Sequence, residues 1–268
     1  MPYLQLRDLK LYYEVHGEGR PFLFISETAC HGDVWKTYQI PEFSRDHRVI
    51  IYDQRGTGRT DKPSVEYTTK TLAADAAALL DHLGADQAIV YGHSMGGRIA
   101  QLVALDHPQK VSKLILASSG ASHTTRGIPL KMCLELVEKG YEKYARAHAV
   151  RIGFTERFVN EHPERVDEFL KIRLANLPPL ESYLLHVMAR QAHDTGDRLK
   201  DIRVPTLVMV GDDEAETTSD ISHWASAEIL ARSIPNAKLV VLPDSGHYYF
   251  FAKPEETNRA IREFLRET

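Results

Sequence analysis

Short runs of β-branched and other apolar residues alternate along the chain with longer stretches in which apolar residues recur at helical spacing. The runs Leu11 to His16, Phe22 to Ile25, Arg48 to Tyr52, Ala88 to Tyr91, Lys113 to Ala117, Thr206 to Val210 and Lys238 to Leu242 predict strands. Several are almost continuously apolar, as strands covered by helices on both faces must be. Between them, Thr69 to Leu83 predicts a helix rich in alanine and leucine and stopped by Gly84. Met95 to Leu105 predicts another, ending before His107-Pro108, because the residue before a proline is driven out of the helical region. A last helix starts near Pro254, with Glu255 and Glu256 in its first turn complementing the helix dipole. This alternation predicts a mostly parallel sheet flanked by helices, an α/β fold.

The alternation stops between about Ala121 and Ile202. That stretch reads as several amphipathic helices punctuated by Gly140, Gly153, Pro163 and Pro178-Pro179, with no strand pattern. The sheet pattern resumes at Val204-Pro205, so an insertion between two strands fits better than a separate helical domain. The expected organisation is a core of residues 1–120 and 203–268 with a helical cap over residues 121–202.

Composition narrows the classes of function. With 268 residues, 43% hydrophobic and 26% charged, the chain can bury a sizeable globular core. A formal net charge of −4 makes no electrostatic case for nucleic acid or an anionic membrane as partner. The opening MPYLQLRDLK lacks the apolar run of a secretory leader, and no long uncharged apolar stretch could span a bilayer. Cys30 and Cys133 stand far apart and form no metal-type pair. A reduced, cytoplasmic setting is expected. The 13 histidines show no HxH or HExxH spacing and are expected mostly at the surface or at helix caps. No metal and no cofactor are expected. The expected partner is a small-molecule substrate; a homodimer through a cap face or an edge strand is open, and nothing in the sequence marks one.

The sharpest chemical signal is Ala88-Ile89-Val90-Tyr91-Gly92-His93-Ser94-Met95-Gly96-Gly97, which places G-x-S-x-G directly between a predicted strand and a predicted helix. A very tight strand-to-helix turn forces the serine into a strained conformation and lifts its hydroxyl above the sheet edge, at the positive end of the helix. Ser94 is therefore the candidate nucleophile. A serine hydroxyl needs an imidazole to take its proton, and His247 follows the last predicted strand, beside Gly246. The chain order serine, acid, histidine then places the acid after the strand ending at Val210, within Gly211-Asp212-Asp213-Glu214-Ala215-Glu216. The residues alone do not separate these four carboxylates.

With Ser94, the acidic loop and His247 together, the chain resembles the α/β-hydrolase superfamily from about Tyr12 to its C-terminus. Asp53-Gln54-Arg55-Gly56-Thr57-Gly58-Arg59-Thr60 is similar to the superfamily's D-x-R-G-x-G-x-S loop, a structural turn near the site. The resemblance implies an acid three residues after the glycine that ends its strand, which is Glu214, with Asp213 as the alternative; aspartate is commoner there. Many relatives carry His-Gly after the strand equivalent to Phe22 to Ile25. Here that position holds Ser26-Glu27, so the resemblance implies an oxyanion hole from the amides of Thr28 and Met95. Loss of His-Gly also occurs in enol-lactonases of aromatic degradation.

The implied function is hydrolysis of an ester or lactone of a small to medium, mainly apolar substrate through an acyl-enzyme on Ser94, a carboxylic ester hydrolase reaction. Other chemistry on the same scaffold (carbon–carbon or thioester hydrolysis, a lyase, a perhydrolase) and a hydrolase-derived ligand receptor remain alternatives. The larger apolar cap residues Met132, Leu136, Tyr141, Tyr144, Phe154, Phe158, Tyr183 and Met188 divide between packing and pocket, with packing expected for most. Tyr248, Tyr249, Phe250 and Phe251, next to the histidine, are further candidates for the pocket wall. Arg55, Arg98 and Arg126 could meet a substrate carboxylate, or serve as structural ion pairs.

Overall fold

The computed structural model describes residues 3–123, 127–214 and 222–267. Eight strands form one sheet: β1 (Tyr3–Gln5), β2 (Lys10–His16), β3 (Arg20–Ile25), β4 (His47–Tyr52), β5 (Ala88–His93), β6 (Val111–Ala117), β7 (Thr206–Gly211) and β8 (Ala237–Leu242). Their spatial order is β1-β2-β4-β3-β5-β6-β7-β8. β1 and β2 pair antiparallel, β2 lies antiparallel to β4, and the rest of the sheet is parallel. All seven strands read from the sequence are present; β1, three residues at the edge, is too short to show a period.

The helices are α1 (Gln39–Phe43), α2 (Thr69–His82), α3 (Met95–Asp106), α4 (Leu130–Lys139), α5 (Tyr141–Gly153), α6 (Glu156–Glu161), α7 (Pro163–Ala175), α8 (Leu180–Ala192), α9 (His223–Ser233), α10 (Tyr249–Ala252) and α11 (Pro254–Arg266). α2 begins on a side-chain cap: the Thr68 hydroxyl accepts a hydrogen bond from the Thr71 amide at 3.0 Å. Five of these helices, α4 to α8, occupy the connection from β6 to β7. No strand is formed there among the described residues, only an isolated bridge between Ser122 and Asp194.

The period of two along the strands sorts the core into two layers. On β3, Leu23 and Ile25 face one layer with residues of α2, α3 and α9, while Phe22 and Phe24 face the other with residues of α1 and α11. Because both faces are covered, β3, β5 and β6 carry apolar side chains in succession, all of them buried. A smaller third cluster joins Ala29 to Met132, Tyr144, Tyr183 and Val187, holding α4, α5 and α8 above the loop after β3.

The loop after β4 is locked by charge. Asp53 accepts from the Gly32 amide at 2.8 Å and from the Arg59 amide at 2.8 Å. Arg55 meets Asp75 of α2 with two hydrogen bonds of 2.6 and 2.8 Å, and Asp8 at 2.9 Å. Arg55 thus serves as a structural ion pair rather than a ligand contact. Gln54 donates to the Ser26 carbonyl at 2.8 Å, tying this turn to the end of β3.

The Arg55 and Asp75 side chains are only 3% and 7% exposed, so removing one partner leaves a poorly solvated charge. Asp75→Ala is expected to lower the unfolding free energy by about 3 kcal/mol in a urea titration. Replacing the pair together (Arg55→Met with Asp75→Leu) should recover most of that loss.

Candidate active site

β5 ends at His93 and α3 begins at Met95, so the chain reverses direction within one residue. That residue, Ser94, has φ 56° and ψ −117°, a conformation costing about 1–3 kcal/mol for a side chain of L configuration. The surroundings hold it there. The Ser94 amide donates to the Ala117 carbonyl at 2.8 Å, and the Ser94 carbonyl accepts from Ser119 Oγ at 2.8 Å and from the Gly97 amide at 3.0 Å. The flanking glycines are needed for close approach: a Cβ on Gly92 would collide with the Gly96 carbonyl, and one on Gly96 with the carbonyl of Ile25. The amide of Met95 has no hydrogen-bond acceptor among the described residues and lies at the start of α3.

The loops after β7 and β8 are stitched together so that acid and histidine meet. The Asp213 amide donates to the Ser245 carbonyl at 3.1 Å, and the Ser245 amide donates to the Asp212 carboxylate at 3.1 Å. Glu214 then turns inward, and its Oε2 lies 2.9 Å from His247 Nδ1. Its other oxygen, Oε1, accepts from Ser118 Oγ at 2.5 Å and from the Gly211 amide at 2.9 Å. Asp213 is exposed. Of the four acidic side chains left open by the sequence, Glu214 reaches the histidine and Asp212 braces the loop; Glu216 lies outside the described residues, as does Arg126.

Burial opposes the Glu214 charge, but His223 and His247 beside it hold its pKa well below the carboxylate norm. His223, at the start of α9, stacks on His247 with ring centroids 4.6 Å apart, and its Nδ1 lies 2.8 Å from the same Glu214 Oε2. Its pKa is lowered by burial, against the pull of Glu214. Glu214, His223 and His247 form the one group among the described residues whose donor atoms, all within 4.8 Å of one another, could hold a metal ion. The carboxylate there is already bonded by His247, Ser118 and Gly211, which suits it to orienting an imidazole.

The helices between β6 and β7 shape the histidine loop directly. The amides of His247 and Tyr248 donate to the carbonyls of Ile152 and Gly153, at the end of α5, at 3.1 and 2.8 Å. Gly153 leaves room for the Tyr248 ring, into which a Cβ would run.

The Ser26-Glu27-Thr28 segment, where relatives carry His-Gly, is held by an arginine the sequence did not reveal. Arg173 of α7 bonds Glu27 Oε1 through Nε at 2.7 Å, and its Nη2 donates to the Thr28 carbonyl at 3.1 Å. Tyr248 donates its hydroxyl to Glu27 Oε2 at 3.0 Å. Glu27 is thus a buried, paired carboxylate joining three chain segments. The Thr28 amide has no acceptor among the described residues. Arg173 gave no sequence signal, because a lone arginine in an amphipathic helix looks like a solvated charge.

Ser94, His247, His223, Glu27 and Thr28 line one cavity. Of the eight larger cap residues, Met132, Tyr144 and Tyr183 line it. Phe154 and Phe158 belong to the core beneath, Leu136 and Tyr141 pack against the third cluster, and Met188 is 43% exposed. Tyr248 reaches the cavity, whereas Tyr249, Phe250 and Phe251 are core. The expected apolar lining therefore describes one wall only; Arg98, Arg173, Arg190, His123 and His148 also face the cavity. The histidines divide: of 13, six are buried (His31, His93, His123, His186, His193 and His247) rather than at the surface, and both ring nitrogens of His93 and of His123 have no hydrogen-bond partner among the described residues.

Residues 15–254 match the model of the α/β-hydrolase fold family. The chain belongs to the α/β-hydrolase family. This hydrolase is 31% identical to a protein of Azorhizobium caulinodans named "Putative carbamate hydrolase RutD", over 100% of this chain and 99% of the other. Among solved structures it resembles Est816, described as an N-acyl homoserine lactone degrading enzyme, with 31% identity, a TM-score of 0.83 and coverage of 98% of this chain and 100% of that one. The enol-lactonase of Burkholderia xenovorans LB400 shares the fold with a TM-score of 0.87, covering 99% of this chain and 100% of the other, at 23% identity. No helix among the described residues of the hydrolase is long and apolar enough to cross a membrane.

The depressed pKa of Glu214 sets a direction for acid stability. A carboxylate held below its ordinary value of 4.5 contributes stability that is complete above that pH and is lost as the pH falls through the lowered value. The stability advantage of the parent protein over Glu214→Gln should be largest near neutrality and shrink progressively below pH 4.5, as followed by denaturant titrations across that range.

Proposed function

We propose that this hydrolase cleaves an ester or lactone through an acyl-enzyme on Ser94. The observation that carries this reading is that Ser94, on its strained turn, and His247, bonded to Glu214, open onto the same cavity. In this reading His247 Nε2 takes the proton of Ser94 Oγ as that oxygen attacks the carbonyl. Glu214 holds the Nδ1 proton, fixes the tautomer and stabilises the imidazolium. The amides of Thr28 and Met95 donate to the developing oxyanion, a contribution of several kcal/mol for two such donors. His247 then protonates the departing alcohol, and a water activated by the same imidazole releases the acid. No cofactor takes part.

Residues 121–202 act as the cap, supplying one wall of the pocket and bracing the histidine loop through the Ile152 and Gly153 carbonyls. Relatives named for a carbamate hydrolase and a lactone-degrading enzyme support acyl transfer to water and widen the acyl group to carbamates.

Ser94→Ala should lower kcat on a short 4-nitrophenyl ester by at least about 10⁴-fold and abolish labelling by a fluorophosphonate. Undiminished turnover would end the proposal. Glu214→Gln should reduce kcat by about 10²- to 10⁴-fold, while Asp213→Asn, at an exposed position, should change it by about twofold or less; equal losses in the two variants would remove Glu214 from the role.

A further inference from the structure

Two cations in the cavity lack full hydrogen-bond partners among the described residues. Arg98 lies one helical turn after Ser94 on α3, is 6% exposed, and has a buried Nη1 with no hydrogen-bond acceptor among the described residues. Arg190 of α8 faces the same space; among the described residues its buried Nε has no acceptor, and its Nη1 donates to Thr28 Oγ1 at 3.4 Å. His123 lines the same cavity, buried, and both its ring nitrogens lack a hydrogen-bond partner among the described residues.

The acids nearby do not neutralise this wall. Glu27, the sole acid among the described lining residues, is held by Arg173 and Tyr248, and Glu214 is held by His247. Asp194 attracts Arg98, but burial and the charge of Arg190 outweigh it and bring the Arg98 pKa down to about 9. The same two arginines and burial push His123 down to about 2, so at neutral pH it is an uncharged ring able to donate one hydrogen bond. Burying like charges together without a counterion is costly, and a planar carboxylate would offer each guanidinium an ionic hydrogen bond.

We infer that Arg98 and Arg190, with His123, form a carboxylate-binding subsite, so that the hydrolase takes substrates carrying a free carboxylate besides the bond it cleaves. Monoesters of dicarboxylic acids and carboxylated lactones have this chemistry. The inference deepens the proposed function and rests on it for the scissile bond, but binding can be read without turnover.

The direct test is calorimetric titration of the Ser94→Ala protein with adipate and with its neutral isostere adipamide. Adipate is expected to bind at least about tenfold more tightly, in line with charge-assisted hydrogen bonds to two guanidinium groups, and Arg98→Gln or Arg190→Gln is expected to erase that preference. The comparison of the two ligands stands even if one variant fails to fold. Equal binding of acid and amide, no binding of either, or a preference that survives both substitutions overturns the inference. Hydrolysis of monoethyl adipate and ethyl 5-carbamoylpentanoate by the unmodified protein separates the two proposals. Faster cleavage of the acid supports the subsite. Equal cleavage sinks it and leaves the hydrolase reading intact, whereas adipate binding without cleavage of either ester sinks the hydrolase reading and leaves the subsite.

Discussion

The reversal of the chain at Ser94 constrains everything around it. A strand that becomes a helix within one residue needs a positive φ at a serine, and the cost is met only because neighbouring elements close in on the turn. β6 accepts the Ser94 amide at Ala117, and Ser119 bonds its carbonyl. Glycines at 92, 96 and 97 let β5, α3, the end of β3 and Ser119 approach to contact distance. The same turn sets Met95 at the head of α3, with no acceptor for its amide among the described residues, and places Arg98 one turn later on the cavity wall. One local constraint therefore places the proposed nucleophile, one proposed oxyanion donor and the proposed anion contact.

A second set of contacts brings distant segments to that turn. Glu214 and His247 meet because the Asp212 carboxylate and the Ser245 carbonyl lock the two loops at the C-terminal ends of β7 and β8. Glu27 and Arg173 do the same between the end of β3 and α7, with Tyr248 closing the triangle. Both carboxylates are buried and bonded by several donors, so each fixes geometry more than it adds net stability. The helices between β6 and β7 belong to this framework. They hold the histidine loop from α5, clamp the Thr28 carbonyl from α7, and supply the cationic wall from α8.

The polarity of the cavity separates this chain from a general apolar esterase pocket. Met132, Tyr144 and Tyr183 provide a hydrophobic side, while Arg98 and Arg190 also line the cavity, and the one acid among the described lining residues, Glu27, is held by Arg173 and Tyr248. In the proposed subsite charge discriminates more strongly than size, since an added methylene is worth only about 1–3 kcal/mol whereas an unpaired buried ion costs more.

The sheet, the main helices, the strand–Ser94–helix turn and the rank of His247 were legible in the sequence because each depends on local order: period two, period 3.6, glycine spacing and position after a strand. The residue pattern alone narrowed the acid to a loop and the family resemblance pointed to Glu214 over Asp213, but that the Glu214 carboxylate folds inward rests on the hydrogen bonds from Ser118 and Gly211. Arg173, Arg190, His123 and His223 were invisible, because a charged or imidazole side chain in a helix or loop has the same local pattern whether it faces water or a cavity. Local sequence determined which backbone turns could form. Only the packing of α5, α7 and α8 over the sheet edge decided which polar groups lost their water, and with it the charge and shape of the pocket.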